Sequence, residues 1–358
     1  MIVSRTPFRI SFFGGGTDYP AWYREHGGAV LATSIDKYCY LTCRYLPPFF
    51  DHGFRIVWSK IERCKTVDEI THPAAREVLR FVKISRGVEI HHDGDLPARS
   101  GMGSSCAFTV GLLHAVHALQ GYMPSKHELA MESIHVEQEL LKETVGSQDQ
   151  VLAAYGGLNH ITFHSNGEIS VRPLTLSQER ISALNDHLML FYTGIKRTAA
   201  DVAKSYVSDF KSKNRQLLAL RGLVEEGLSI LNSDQDLRTF GSLLHEAWQV
   251  KRSLGTQVTN DQVDEIYQCA RAAGALGGKL TGAGGGGFIL LFVPPDLHGK
   301  VREKFNNLIH VPFRFEYSGS QIIFFDHEED YSAVEQARAN QTIQAFRELN
   351  QSQTGRNI

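Results

Sequence analysis

Alternating hydrophobic and polar positions predict several β-strands. Period-two stretches rich in β-branched and aromatic residues predict strands over Ile2 to Phe13, Gly27 to Tyr45 and His187 to Thr193. Pro7 divides the first stretch, which is expected to form one or two strands, and Asp36 and Lys37 predict a turn or bulge in the second. Shorter strands are predicted over Phe54 to Trp58, Val88 to His92, Phe288 to Val293, Val311 to Tyr317 and Ile322 to Phe325.

Helical spacing of apolar residues separates these strands. Ser125 and Glu128 form a capping box, which predicts the start of one helix. Helices are predicted over Pro73 to Ile84, Cys106 to Leu119, Pro124 to Leu141, Leu217 to Leu231, Leu237 to Leu254, Asn260 to Ala273, Leu297 to Leu308 and about Tyr331 to Leu349.

A chain of 358 residues exceeds the usual size of one hydrophobic core, so two domains are expected. The weakly patterned, polar segment from Ser165 to Leu184 places their boundary at 175/176.

One stretch, Asp95 to Gln120, joins a flexible loop directly to an apolar helix. The loop contains Gly101 and Gly103, and Ser104 or Ser105 is expected to cap the helix. Free N–H groups at a helix start, beside glycines that admit a bulky anion, predict a phosphate-binding loop. A flexible turn before a buried helix explains the same residues. No GKS or GKT follows, which excludes a Walker A loop.

A second glycine cluster runs from Gly277 to Gly287 and matches GxGxxG literally. A predicted helix precedes it and a strand follows, which is the wrong order for a dinucleotide fold. The glycines are expected to bring backbone close to a ligand or to a neighbouring loop. Lys279 and Thr281 are candidates for phosphate contact from this side.

Four charged residues stand out, each with a structural alternative. Arg9 lies in an apolar strand, where a buried guanidinium needs an anionic partner. Asp18 follows three glycines and is either a turn residue or a ligand contact. Glu137 is either solvated or functional, and Asp149 is either a helix cap or functional.

Composition narrows the class of protein. The chain is 42% hydrophobic with a net charge of −2, which argues against nucleic-acid and anionic-membrane partners. No apolar run approaches the ~20 residues of a membrane span. The odd number of cysteines, without CxxC or an apparent signal peptide, is typical of a reducing cytoplasm. Cys39 and Cys43 are expected to share one strand face.

Four segments together carry a resemblance to the GHMP kinase family. Arg9 to Tyr19, RISFFGGGTDY, is similar to the sugar-kinase signature RxNLIGEHTDY. Pro97 to Ala107, PARSGMGSSCA, is close to PxGxGLGSSAA, and Lys279 to Phe288 is close to the family's C-terminal glycine loop. Val136 to Gln150 resembles a galactokinase segment with the same separation between its glutamate and aspartate. The resemblance spans nearly the whole chain.

The resemblance implies an α+β fold with two domains. Residues 1–175 would form the domain shared with ribosomal protein S5, and residues 176–358 a ferredoxin-like domain, with ATP between them. Mg²⁺ would bind Ser105 and Glu137. The ATP site would comprise Pro97, Ser100, Gly101, Met102, Gly103, Ser104 and Ser105.

The resemblance also implies catalytic and acceptor residues. Asp149 would act as a base on the sugar hydroxyl, or orient it. Arg9 would pair with Asp149, keep it ionised and steady charge on the transferred phosphoryl group. Asp18 would bind sugar hydroxyls. We predict an acceptor site that comprises Gly15, Gly16, Thr17, Asp18, Lys196, Arg197, Gly284 and Gly285, of which Lys196 and Arg197 are our own hypothesis and not implied by the resemblance.

The chain departs from the family pattern at one informative place. Gly15 and Gly16 replace the Glu-His of galactokinase-like sequences, so a carboxylate that would repel an anionic acceptor is missing. This variant resembles family members that phosphorylate the C1 hydroxyl of a heptose 7-phosphate on the route to GDP-heptose and surface polysaccharide. Lys196 or Arg197 is then expected to hold the 7-phosphate. The protein is expected to be cytoplasmic and is a possible homodimer.

Other functions stay open at this stage. One alternative is a kinase for a free sugar such as L-fucose or galactose. Another is a regulator of the same fold that binds sugar and ATP without catalysis. A nicotinamide oxidoreductase is disfavoured, because it rests only on the literal GxGxxG.

Overall fold

Two β-sheets organise the chain in a computed structural model, which describes residues 1–195, 202, 207, 210–327 and 333. The strands are β1 Ile2–Phe13, β2 Gly28–Tyr45, β3 Phe54–Val57, β4 Ile61–Cys64, β5 Val88–Gly94, β6 Leu158–Phe163, β7 Ile169–Pro173, β8 Leu188–Tyr192, β9 Gly277–Leu280, β10 Phe288–Phe292, β11 Ile309–His310, β12 Phe315–Glu316 and β13 Gln321–Phe325.

Helices cover these sheets. They are α1 Pro20–His26, α2 Pro73–Phe81, α3 Ser104–Leu119, α4 Lys126–His135, α5 Gln148–Tyr155, α6 Gln178–Asp186, α7 Asn214–Leu231, α8 Arg238–Arg252, α9 Asp261–Ala273 and α10 His298–Lys304. A π-helical turn, Val136–Leu140, continues α4. The predicted capping box at Ser125 is confirmed. The helix predicted from about Tyr331 lies outside the described residues.

The first sheet has nine strands and the second has four. The first follows the order β13-β1-β2-β5-β3-β4, with β6 and β12 also paired with β2, and β7 with β6. The second follows the order β11-β8-β10-β9. The α+β class is therefore confirmed. Because β12 and β13 belong to the first sheet, these late strands share a sheet with the N-terminal strands. The domain boundary at 175/176 stays a prediction.

The long β1–β2 pair carries the predicted bulge. Pro7 pairs with Tyr38 and Phe8 pairs with Ile35, which leaves Asp36 and Lys37 as extra residues in β2. A bulge accommodates a proline that cannot donate to the ladder, so β1 continues as one strand. Both Cys39 and Cys43 are buried, as their alternation predicts.

Some local predictions were wrong. The polar, weakly patterned segment from Ser165 to Leu184, in which no element was predicted, contains β7 and most of α6. The strand predicted over Val311 to Tyr317 is reduced to β12. The strand β9, which was not predicted, forms the first part of the second glycine cluster, and the rest of the cluster connects β9 to β10 in an antiparallel hairpin. That connection also differs from the strand-to-helix order of a dinucleotide fold.

Helix α3 packs closely on the first sheet. It is apolar around its circumference, as its sequence predicts. A Cβ at Gly111 would lie 2.8 Å from Thr6 Oγ1 of β1. The glycine thus allows the helix to approach the strand, which fixes the start of α3 relative to β1.

Phe240 of α8 connects the two sheets. Its ring makes edge contacts with Phe12 and Phe13 of β1, at centroid distances of 5.5 and 5.0 Å, and lies 6.1 Å from Phe292 of β10. All four rings are buried. This aromatic cluster joins β1 of the first sheet to β10 of the second. Within the described part of the chain, no helix combines the length and the apolar character that a membrane span requires.

We expect Phe240→Ala to lower the free energy of unfolding by about 3 to 5 kcal/mol, because it leaves a cavity between the sheets. Urea unfolding followed by circular dichroism measures this loss. Leu218→Ala on α7 is the control, since Leu218 is 47% exposed. Equal effects of the two substitutions would contradict the linking role of Phe240.

Candidate active site

A cleft with a volume of about 510 Å³ lies between the two glycine loops. Its wall comes from β1 and the following glycine loop, the start of α3, the segment before α5, the end of α8 and the β9–β10 loop. The residues that line it include Arg9, Gly15, Gly16, Asp18, Gly101, Gly103, Ser104, Ser105, Cys106, Asp149, Lys251, Lys279 and Gly282.

The start of α3 differs from the prediction. Gly103 occupies the N-cap position with a left-handed φ of 78°, and no side chain caps the helix. Ser104 Oγ instead accepts a hydrogen bond from the N–H of Arg99. The expected serine cap was wrong, because a left-handed backbone here favours glycine and starts the helix at Ser104. The free N–H groups of α3 still face the cleft, as a phosphate loop requires.

The two glycine loops pack directly on each other. A Cβ at Gly101 would lie 2.7 Å from Thr281 O, and a Cβ at Gly287 would lie 2.1 Å from Ser100 O. The expected approach to a neighbouring loop is therefore confirmed. Gly285 donates its N–H to Val258 O at 2.9 Å, and neither Gly284 nor Gly285 is among the residues that line the cleft. Their substrate role stays a prediction.

Arg9 and Asp149 form the ion pair expected between them. Arg9 Nε donates to Asp149 Oδ1 at 2.7 Å, and Nη2 donates to Oδ2 at 2.6 Å. The third arm, Nη1, donates to Gly101 O at 2.7 Å. Burial opposes the charge of Arg9, but Asp149 offsets this and leaves the pKa of Arg9 raised. Asp149 does not cap α5, because its side chain is committed to Arg9.

Asp18 lines the cleft and is 1% exposed. Its Oδ1 accepts the N–H of Gly16 at 2.9 Å, and its Oδ2 accepts Gln148 Nε2 at 3.0 Å. Burial raises the pKa of Asp18 despite these bonds. A Cβ at Gly146 would lie 1.9 Å from Oδ2, so a glycine is needed there. The arrangement holds the Asp18 carboxylate in one orientation, and its role at an acceptor site stays a prediction.

The sequence allowed Glu137 to be either a solvated or a functional residue, and the structure excludes the solvated alternative. It lies in the π-helical turn and is 1% exposed. Its carboxylate accepts Thr109 Oγ1 at 2.8 Å, Cys106 Sγ at 3.1 Å and the side-chain amide of Gln150. Burial raises its pKa to about 7. Sequence reasoning did not identify Cys106 or Gln150 as its partners.

The residues expected to hold Mg²⁺ fit that ion by their chemistry. Ser105 is exposed on the cleft wall, and neighbouring Cys106 donates to Glu137. One hydroxyl and one carboxylate suit Mg²⁺, which keeps several waters. Glu137 has no cationic partner among the residues that the structure describes. In the same residues, no three His, Cys, Asp or Glu side chains form a metal-binding cluster.

Two lysines inside the cleft are almost fully buried. Lys251, at the end of α8, is 5% exposed and donates to Gly282 O. Lys279 of β9 is 4% exposed and donates to Phe12 O at 3.0 Å. Burial lowers the pKa of Lys251 to about 8 and that of Lys279 well below its usual value. Lys251 was not predicted, although it continues the apolar face of Leu244 and Trp248 at helical spacing.

The remaining predicted residues lie elsewhere. Thr17 is fully buried and donates its hydroxyl to Gly14 O at 2.8 Å, so it shapes the loop. Pro97, Ser100 and Met102 support the phosphate loop from outside the cleft wall; Ser100 Oγ donates to Pro97 O at 2.7 Å. Lys196 and Arg197 lie outside the described residues.

Comparison with known families defines the class of protein. Residues 69–157 match the GHMP kinases N terminal domain, and residues 221–310 match the GHMP kinases C terminal family. Together the matches cover half of the chain. The chain belongs to the GHMP kinase family and is a kinase. Members of this family use ATP as the phosphoryl donor.

Particular relatives are similar over most of the chain. A D-glycero-alpha-D-manno-heptose 7-phosphate kinase of Campylobacter jejuni is 29% identical over 82% of this chain and 90% of its own. A bifunctional fucokinase/GDP-fucose pyrophosphorylase of Arabidopsis thaliana is 26% identical over 80% of this chain and 29% of its own. The crystal structure of a D-glycero-D-manno-heptose 1-phosphate kinase from Bacteroides thetaiotaomicron shares the fold, with a TM-score of 0.75, 22% identity, and coverage of 91% and 100%.

We expect Lys251→Met to stabilise the ligand-free protein at pH 7 by about 1 to 3 kcal/mol, because it removes a buried charge. The lysine pKa is lower in the folded state, about 8, than its ordinary 10.5. The unfolded chain therefore binds more protons between these values, and wild-type stability rises through this window.

Urea unfolding of both proteins between pH 7 and 10.5 measures this effect. The difference in unfolding free energy should be largest at pH 7 to 8 and shrink as the pH approaches 10.5. A variant less stable than wild type at pH 7 would show that Lys251 mainly holds the loop at Gly282.

Proposed function

We propose that the chain transfers the γ-phosphoryl group of ATP to the C1 hydroxyl of D-glycero-α-D-manno-heptose 7-phosphate. The product would be the 1,7-bisphosphate, an intermediate for GDP-heptose and surface polysaccharide. The observation that carries the kinase chemistry is the Arg9–Asp149 ion pair, which lines the cleft between the two glycine loops. Similarity to the Campylobacter jejuni enzyme supports the choice of acceptor.

The proposed mechanism relies on positioning and charge. Backbone N–H groups from Gly101 to Ser105 would hold the ATP phosphates at the start of α3. Asp149 would accept the proton of the acceptor hydroxyl, or orient that hydroxyl. Arg9 fixes Asp149 through two hydrogen bonds and would neutralise charge on the transferred phosphoryl group. Ser105 and Glu137 would hold Mg²⁺, which neutralises phosphate charge when bound.

The acceptor end of the cleft suits a sugar that carries an additional charge. Asp18 is held there as a hydrogen-bond acceptor for sugar hydroxyls. Gly15 and Gly16 stand where galactokinase-like sequences have a glutamate and a histidine, and a Cβ at Gly15 would find ordinary contact distances of 3.5 Å to Ser11 Oγ and 3.6 Å to Gln148 Nε2. Because both positions are glycine, they carry no carboxylate that would repel an anionic substituent of the acceptor.

A free-sugar kinase is the second candidate. The similarity to the bifunctional fucokinase favours it, since that match also spans most of this chain. A regulator that does not catalyse is less well supported, because the bidentate Arg9–Asp149 pair is intact. The two kinases differ in whether the acceptor carries a phosphate.

We expect ADP release from Mg-ATP with heptose 7-phosphate and not with L-fucose or galactose. Asp149→Asn should lower kcat by about 10²- to 10⁴-fold, because the positioned base is lost. A coupled assay over these acceptors measures both effects. Asp68→Asn is the control, since Asp68 also pairs with an arginine, Arg80, but is largely exposed outside the cleft.

Turnover confined to free sugars would keep the kinase and reject the heptose phosphate. Binding of ATP and sugar without turnover would favour the regulator. Full activity of Asp149→Asn would remove the aspartate from the mechanism.

We expect Glu137→Gln to raise the Mg²⁺ concentration for half-maximal activity by about tenfold or more, since an anionic oxygen ligand is lost. A titration with MgCl₂ at saturating ATP measures this shift. Glu132→Gln is the matched control, because Glu132 accepts a hydrogen bond from His117 on the far side of α3 from the cleft loops. An unchanged Mg²⁺ requirement would contradict Glu137 as a ligand.

A further inference from the structure

We propose that Lys251 and Lys279 form a paired ammonium site that binds the phosphate already present on the acceptor sugar. This inference deepens the proposed function and rests on it. It assigns recognition of that phosphate to residues of α8 and β9 inside the cleft.

The two lysines have unused hydrogen-bonding capacity. Each ammonium carries three donors, yet each makes one hydrogen bond within the described residues, to Gly282 O and Phe12 O respectively. Both side chains line the cleft and are at least 95% buried. The remaining donors are therefore available to a ligand in the cleft.

The nearby carboxylates are already committed to other groups. Asp149 binds Arg9 through both of its oxygens, and Asp18 accepts bonds from Gly16 and Gln148. Among the described residues, neither lysine lies within ion-pair distance of a carboxylate. A buried ammonium without an anion carries a large desolvation penalty. An anionic ligand would remove that penalty.

The position of the lysines favours the acceptor over ATP. Lys279 is bonded to Phe12, the strand residue that leads into the loop of Gly15 and Gly16. The phosphates of ATP have their own donors at the start of α3. Lys279 therefore flanks the loop where this chain lacks the side chains found in galactokinase-like sequences, and Lys251 lines the same cleft from the side of Gly282.

Two orphaned polar atoms mark the same region as a binding site. Ser11 Oγ and Gln148 Oε1 are buried and have no hydrogen-bond partner among the described residues, and both residues line the cleft. A Cβ at Gly15 would lie 3.5 Å from Ser11 Oγ and 3.6 Å from Gln148 Nε2. Such atoms are costly when unpaired, so a polar ligand is expected beside them. Hydroxyls and a phosphate on one molecule would satisfy the orphaned atoms and the lysines together.

The test compares heptose 7-phosphate with heptose that lacks the phosphate, in wild type, Lys251→Met and Lys279→Met. Each variant should lose about 10- to 100-fold in kcat/KM for heptose 7-phosphate, the range for one charge-assisted hydrogen bond. The kcat/KM for free heptose and the KM for ATP should change by less than about twofold. Lys251→Arg, which keeps the charge, should retain more of the preference for the phosphorylated acceptor.

Lys126→Met is the matched control. Lys126 also donates to a backbone carbonyl, Tyr155 O at 2.8 Å, but it is exposed outside the cleft. This variant should keep wild-type kinetics with both acceptors. A change equal to that of the cleft variants would assign their loss to general loss of positive charge and overturn the inference.

A binding measurement without ATP separates recognition from folding. Heptose 7-phosphate should raise the Tm of wild type and Lys126→Met, and should raise that of the two cleft variants much less. Each cleft variant should melt at or above the wild-type Tm when no ligand is present. A lower Tm together with an unchanged ligand shift would show a purely structural role and overturn the inference.

The remaining outcomes distinguish the inference from the function on which it rests. If wild type prefers heptose 7-phosphate and the cleft variants keep that preference, the inference fails and the function stands. Equal losses with both acceptors, or a raised KM for ATP, would assign the lysines to the γ-phosphoryl group and also overturn it. If wild type uses only free sugars, the proposed function itself fails.

Discussion

The buried guanidinium of Arg9 is the group on which the active cleft depends. An arginine inside an apolar strand is unstable unless its charge and all its donors find partners. Arg9 donates from Nε and Nη2 to the Asp149 carboxylate and from Nη1 to Gly101 O. These contacts join β1, the phosphate loop and α5 through one side chain. Gly103 completes the arrangement, because a Cβ there would lie 3.3 Å from Arg9 Cγ and 3.4 Å from Asp149 Oδ2. The glycine at the N-cap of α3 thus also leaves room for the ion pair.

The second half of the site is held by packing. Phe240 fixes α8 between the sheets, and Lys251 lies three turns further along the same helix. Lys251 then bonds Gly282, whose backbone lies against Gly101 of the phosphate loop. One helix therefore serves both packing and the cleft. Phe240, in the first turn of α8, packs between the two sheets, and Lys251, in its last turn, lines the cleft. A shift of this helix would move the lysine and both glycine loops together.

The sequence was most informative where a residue type is unusual for the predicted element that contains it. A charged residue in an apolar strand identified Arg9, and glycines before an apolar helix identified the phosphate loop; each conflict has a physical explanation in the structure. Lys251 was not predicted as a cleft residue because its neighbours follow an ordinary amphipathic pattern. In such a pattern a lysine is expected on the solvent-exposed face of the helix. The serine cap was wrong because the left-handed φ of Gly103 depends on the neighbouring loop. The strand β9 was missed because Gly277 and Gly278 have low strand propensity, and pairing with β10 overrides it.

Buried charges in and beside the cleft create two opposite electrostatic imbalances. Glu137 is a buried carboxylate without a cation among the described residues, and its pKa is raised to about 7. Lys251 and Lys279 are buried ammonium groups without an anion, and their pKa values are lowered. Each imbalance destabilises the free protein, and each is relieved by a ligand of the opposite charge. If the proposed function holds, Mg²⁺ would neutralise the charge of Glu137, and the phosphate of the acceptor would neutralise the charges of the two lysines. The free energy stored in these groups would then favour a cleft that holds both substrates, which explains why residues that weaken the fold persist in its core.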